Sequence, residues 1–201
     1  MKSLKNYIQE KLIIKKNKYK YFPKTKQELK AIIKKRIEKE GNVVDLNDID
    51  VSKITDMSDL FVGTDFNGDI SNWNTSNVTN MLRMFYNCRS FNQYKYISSW
   101  NVSSVENMFC MFNLCISFNQ DISRWDISNV ANVSCMFKSC EKFNCDISGW
   151  DVSNVKDMKG MFYECELFNQ DISSWDVLKV KNFKDIFLNC TIEEKHKPKF
   201  K

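Results

Sequence analysis

Phe118-Asn119-Gln120-Asp121-Ile122-Ser123-Arg124-Trp125-Asp126-Ile127 is followed 25 residues later by Phe143-Asn144-Cys145-Asp146-Ile147-Ser148-Gly149-Trp150-Asp151-Val152. Outward from that stretch the same phrase recurs in both directions. The tryptophans Trp73, Trp100, Trp125, Trp150 and Trp175 stand 27, 25, 25 and 25 residues apart, and Phe66, Phe91, Phe118, Phe143 and Phe168 keep those intervals. A third column is Phe85, Phe112, Phe137, Phe162 and Phe187, and a fourth is Cys88, Cys115, Cys140, Cys165 and Cys190. Self-similarity at a period of about 20 to 50 residues marks a stacked solenoid, whose units bury their apolar faces only against their neighbours. A side-chain type repeated at one phase in every unit reads as core.

Five full units span 66–90, 91–117, 118–142, 143–167 and 168–192, and 44–65 is a degenerate first coil. The second unit is longer by two residues, around Tyr94-Lys95-Tyr96. The second half of each unit, as in Val78, Met81, Met84, Phe85 and Cys88, spaces its apolar residues for one buried stripe of a short helix. Asn77, Ser104, Asn129 and Asn154 then fall at N-cap positions. The first half, as in Asp121 to Ile127, reads as a short strand bounded by turn-forming Asn, Asp and Ser. The expected fold is an α/β repeat solenoid, a stack of coils each made of one short parallel strand and one short helix.

Residues 1–43 form a basic N-terminal module, 44–192 the repeats, and 193–201 a basic tail. Thr25-Lys26-Gln27-Glu28 has the form of a capping box, and Leu29, Ile32, Ile33 and Ile37 lie on one helical face ahead of Gly41. A helix is therefore expected at about 26–40, serving as an α-helical N-terminal cap. Tyr7, Ile8 and Leu12 allow a further short helix, and Tyr19 to Phe22 a strand.

The net charge of +5 is segregated. Residues 1–41 hold fourteen Lys and Arg against four Glu, whereas 42–192 hold twelve basic and nineteen acidic residues. The basic segment either contacts an anionic surface or leans on the acidic repeats beside it. No apolar run approaches the roughly 18 residues of a membrane span. Leu12-Ile13-Ile14 is too short for the core of an export signal, so a cytoplasmic location is expected; a truncated or non-classically exported form belongs at the cell surface. Reduced thiols are expected with that location. No zinc spacing, phosphate loop, nucleophile elbow or repeat histidine is present, so neither metal, cofactor nor enzymatic activity is expected. The columns Asp69, Asp121, Asp146 and Asp171, and Asp126, Asp151 and Asp176, read as turn caps. The Asn-x-Ser/Thr sequons follow from the same turn grammar.

The unit Phe-Asn-Gln-Asp-Ile-Ser-x-Trp-Asp-Val-Ser-Asn-Val-x-x-Met-x-x-Met-Phe-x-x-Cys resembles the BspA-like surface-protein repeat family over about 44–192. The resemblance implies a leucine-rich-repeat-like stack and protein–protein interaction of the kind found in bacterial surface and adhesin-like proteins. The expected function is thus a non-enzymatic scaffold for a protein partner, with nucleic-acid or anionic-surface binding through the basic segment as the alternative. Candidate binding residues are Tyr94, Lys95 and Tyr96, where the pattern is interrupted, with Arg83, Phe109, Cys110 and Lys159 as variable positions on the expected helices.

Overall fold

The computed structural model describes residues 18–92 and 97–201. Helix α1 (Lys26–Glu40) forms as the capping pattern dictates. The Thr25 side chain accepts the Glu28 N–H at 3.2 Å, and the Glu28 carboxylate accepts the Lys24 N–H at 2.7 Å, one residue before the usual reciprocal partner. Gly41, at φ 85°, closes the helix by donating to Ile37 O at 2.8 Å. Leu29 and Ile33 are buried in the same core as the repeats. Ahead of α1, Tyr21 is extended and pairs in parallel with Ile49. The short helix expected around Tyr7 to Leu12 lies outside the described residues.

The expected α/β solenoid of strand-plus-helix coils is overturned, and the leucine-rich-repeat-like coil with it. Within the repeats no α-helix forms among the described residues, and parallel pairing is confined to isolated bridges that never extend into a sheet. Each 25-residue unit is instead a rung built of turns. In the half expected to be helical, Met84 donates to Met81 O, Tyr86 to Arg83 O and Cys88 to Phe85 O, at 3.2, 3.1 and 2.9 Å. The alternate amides of Met81, Arg83, Phe85 and Asn87 donate onward to Asn107, Phe109, Met111 and Asn113 of the next rung, at 2.7–3.0 Å. One bond returns, from Glu106 N–H to Thr79 O at 2.9 Å.

Two residues per rung have left-handed backbone, as Arg83 (φ 50°) and Asn87 (φ 58°) do. Each is the third residue of a hydrogen-bonded turn, which is the type II pattern. The same phase is left-handed at Asp59 and Gly63, Cys110 and Leu114, Cys135 and Ser139, Gly160 and Glu164, and Asp185 and Asn189. A non-glycine residue in this region costs roughly 1–2 kcal/mol. Five bonds per junction at about 1 kcal/mol each outweigh two such residues, and ring burial adds to the margin. A helix of two or three turns is marginal by itself, so the ladder wins. Asn77, Asn129 and Asn154 consequently cap no helix. Their side-chain amides donate to Ser52 O, Ser103 O and Ser128 O of the preceding rung at 2.7–2.8 Å.

The aromatic columns form the interior. Phe85, Phe112, Phe137, Phe162 and Phe187 follow one another at 5.6–5.8 Å between ring centres. Phe91, Phe118, Phe143 and Phe168 stack beside them at 5.7–6.1 Å. Every full-repeat indole N–H reaches back one rung, Trp125 to Ile97 O and Trp150 to Ile122 O both at 3.1 Å. Cys115, Cys140 and Cys165 act in the same way, their thiols donating to Phe85 O, Phe112 O and Phe137 O at 2.9 Å. Burial pushes these three thiol pKa values well up. A file of asparagines completes the ladder: the Asn92, Asn119, Asn144 and Asn169 amides each donate to the side chain of the asparagine one rung earlier, at 2.9–3.1 Å.

Candidate interaction face

The turn half of each rung carries two short columns, exposed or half-exposed except at Cys110, Ser134 and Gly160, which are buried. The first runs Leu82, Phe109, Ser134, Lys159 and Lys184, and the second runs Arg83, Cys110, Cys135, Gly160 and Asp185. Their backbones are locked by the inter-rung bonds, while their side chains vary along the stack and repeat between successive rungs only at Cys110–Cys135 and Lys159–Lys184. Arg83, Phe109 and Lys159 are thereby brought to one face, although at turn positions and not on helices. The Arg83 N–H donates to Phe109 O at 2.9 Å, and Lys159 O accepts the Cys135 N–H at 2.8 Å two rungs further on. Arg83 is paired with Asp59 of the preceding rung at 2.8 Å; Phe109 is half-buried and Lys159 exposed. At this exposure solvent screens the ion pair, so it adds little to stability. Lys138 sits 4.2 Å from the ring centre of Tyr163, adding a cation–π contact to the same side. Tyr94, Lys95 and Tyr96 lie outside the described residues.

The aspartate columns are occupied locally. Asp121, Asp126, Asp146, Asp151, Asp171 and Asp176 each accept the N–H two residues on, at 2.9–3.1 Å. The Ser123 hydroxyl and N–H hold the Asp121 carboxyl below the ordinary carboxylate range, and Ser148, first through its N–H, does the same for Asp146. Among the described residues no group of three or more His, Cys, Asp and Glu side chains is placed to hold a metal ion. No described helix is long and apolar enough to cross a membrane.

Part of the N-terminal positive charge is spent internally. Lys26 bonds to Asp56 at 2.8 Å and to Ser58 at 2.6 Å, Arg36 to Asp48 at 2.8 Å and to Glu40 at 2.6 Å, and Lys20 to Asp48 at 3.2 Å. The bonds of Lys26 to Asp56 and Ser58 and of Arg36 to Asp48 fasten α1 across the first rung, against the acidic repeats.

Residues 27–133 and 93–199 both match the family described as Mycoplasma protein of unknown function, DUF285. The chain belongs to that family. Together the two matches run from α1 through all the rungs into the tail, so the cap helix and the ladder both fall within the family pattern. No curated protein and no solved structure matches the chain.

The pairing of Cys110 with Cys135 was the feature least visible in the sequence. Grouping Cys135 with Cys140 and Cys145 by their five-residue spacing hides it. The 25-residue interval between Cys110 and Cys135 puts them at one phase of adjacent rungs.

Proposed function

We propose that this chain is a non-enzymatic, BspA-like scaffold that binds a protein partner through the turn face carrying Arg83, Phe109 and Lys159. The observation supporting this reading is the division of labour along each rung. Positions that bond or stack between rungs repeat, whereas the turn positions between them change from Leu to Phe to Ser to Lys. A rigid backbone presenting varied side chains loses little conformational entropy on association, which is the condition under which a modest face binds well. Phe109 and Arg83 supply the residue types that dominate interface energetics, in contact through one backbone bond.

The test is a triple substitution, Arg83→Ser, Phe109→Ser and Lys159→Ser, in the full chain, with thermal unfolding measured alongside. Partner capture from the native host's proteins should disappear while the melting temperature stays within a few degrees. Capture unchanged by the three substitutions overturns this face as the binding site. Replacing Tyr94, Lys95 and Tyr96 with Ser in a second chain asks the same question of the insertion.

A further inference from the structure

Two cysteines stand off the buried column at a shared phase, and in this half of the repeat nothing else recurs there from one rung to the next. The other left-handed residues at that phase are Asp59, Arg83, Gly160 and Asp185. Cys110 (φ 53°) donates its N–H to Ser134 O at 3.0 Å, and Cys135 (φ 54°) donates to Lys159 O at 2.8 Å, so the two residues lie side by side in register. Neighbouring parallel backbones run about 4.8 Å apart. That separation falls within the roughly 4.4–6.8 Å between Cα atoms that a disulfide spans. The Cys135 thiol donates to Lys159 O at 3.6 Å. Asn113 Nδ2 approaches the Cys110 sulfur at 3.5 Å, and Cys135 is half-exposed whereas Cys110 is buried.

We infer that Cys110 and Cys135 form an oxidisable dithiol on the turn face, closed to a disulfide by hydrogen peroxide and reopened by thiol reductants. This inference is independent of any protein partner. Cys135 is the attacking thiol because it is the accessible one. The neighbouring Cys110 thiol lowers its pKa, with burial and then Asp157 opposing and Lys138 and Lys159 adding to the effect. The Cys135 thiol, followed by burial, raises that of Cys110, with Asn113 and Arg83 pulling the other way. Reaction begins as the Cys135 thiolate attacks one peroxide oxygen. The O–O bond breaks, Cys135 becomes the sulfenic acid, and the departing hydroxide takes a proton to become water. The Cys110 sulfur then attacks the Cys135 sulfur as its proton leaves. The S–S bond forms, the S–O bond breaks, and a second water departs. Two electrons pass from the thiols to one peroxide. In-register side chains on parallel rungs place the Cβ atoms beyond the usual disulfide separation of about 3.5–4.5 Å, so the bond closes with strain and reduces readily.

The full chain, treated natively with one equivalent of hydrogen peroxide, unfolded in iodoacetamide and mapped by mass spectrometry, tests this. A Cys110–Cys135 link should appear and be lost on adding dithiothreitol, with the other six cysteines recovered alkylated. In Cys110→Ser, which lacks the resolving thiol, dimedone should trap Cys135 as sulfenic acid. Without peroxide at pH 7, native iodoacetamide labelling of Cys135 should outpace that of Cys145 by on the order of fivefold, its larger thiolate fraction being partly offset by lower nucleophilicity. Eight unlinked thiols after peroxide, a link from Cys135 to any other cysteine, or equal labelling of Cys135 and Cys145 would each overturn the assignment. Circular dichroism of Cys110→Ser and Cys110→Ala confirms that the variants are folded. Gly160 at the same phase of the next rung shows that the position needs no particular side chain.

Discussion

Trp125→Ala tests the ladder where it is most regular. Trp125 is 3% exposed, lies 6.4 Å from Trp100 and 6.2 Å from Phe112 between ring centres, and donates to Ile97 O at 3.1 Å. Truncating a buried aromatic to alanine costs about 3–5 kcal/mol through lost transfer energy and the cavity left behind. The hydrogen bond contributes about 1 kcal/mol of this, because Ile97 O keeps the Trp100 N–H at 3.0 Å and is not left bare. Trp125→Phe keeps a ring in the stack but loses the donor and some volume, and should cost about 2 kcal/mol. With a urea slope of about 2 kcal/mol/M, the alanine variant should unfold about 2 M earlier and the phenylalanine variant about 1 M earlier. Intrinsic fluorescence and circular dichroism followed through the same titration provide the reading. A shift below about 0.5 M for the alanine variant would refute the account of the indole column as structural core. Equal shifts for the two variants would place the energy in the hydrogen bond and not in ring burial.

Three further outcomes follow from other parts of the ladder. A Cβ on Gly68 would lie 2.2 Å from Val44 O and 2.5 Å from the Phe66 ring, so Gly68→Ala should destabilise by about 3 kcal/mol or more, read as a lowered urea midpoint. Gly160 has φ 56° but open surroundings, its nearest neighbour for an added Cβ being the Cys135 sulfur at 3.5 Å; Gly160→Ala should therefore cost only the left-handed backbone penalty of about 1 kcal/mol, measured in the same assay. The Asp121, Asp146, Asp151 and Asp171 carboxyls are held below their ordinary value by serine donors. Their contribution is complete above the unfolded-state pKa near 4 and is lost as pH falls through the lower folded-state values, so the urea midpoint should be level from pH 7 to 5 and drop below pH 4. A midpoint that stays flat to pH 3 would show that these turns do not depend on ionised aspartate.

The columns were legible because burial and period coincide: Trp, Phe and Cys recur at one phase and occupy the interior at those phases. Helix α1 was legible because Thr25, Glu28 and Gly41 each carry a local signal that no tertiary contact opposes. The misreading of the second half has a definite physical origin. Overlapping turns that bond three residues apart bury Met81, Met84, Phe85 and Cys88 with the same spacing as a short helix, so apolar periodicity cannot separate the two. The distinguishing signal lay elsewhere, at the two left-handed positions four residues apart. Gly63, Asn87, Gly160 and Asn189, with Asp59 and Asp185, are the residue types that enter that region at least cost. Arg83, Cys110, Leu114, Cys135, Ser139 and Glu164 at the same phases conceal it. The asparagines read as helix caps accept no helix amide; their side-chain amides donate instead to carbonyls of the preceding rung.

The bonding pattern also explains why recognition and folding can be separated in this chain. Each of the rungs from 66–90 to 143–167 donates four amides forward from its turn half, and the indoles and the thiols of Cys88, Cys115, Cys140 and Cys165 reach back to carbonyls of the rung before. These junctions are therefore made by equivalent residues in nearly the same geometry. A change in one interior column must be accommodated by both neighbouring rungs, which keeps Phe on Phe and Trp on Trp. The two turn columns take part in these junctions mainly through their backbones, with side-chain contacts added by Arg83 to Asp59 and by Cys135 to Lys159 O. Any residue able to hold the required φ fits there, and five residue types stand at the two phases between rungs 118–142 and 168–192: Ser134, Cys135, Lys159, Gly160, Lys184 and Asp185. At the last rung the amides of Phe183, Asp185, Phe187 and Asn189 have no acceptor among the described residues. There the tail folds back instead. Phe200 stacks on Phe183 at 4.4 Å, and His196 O accepts the Ile172 N–H at 3.0 Å. These contacts cover part of the final rung much as α1 covers the first, because a ladder whose stability resides in its junctions is weakest where a junction is missing.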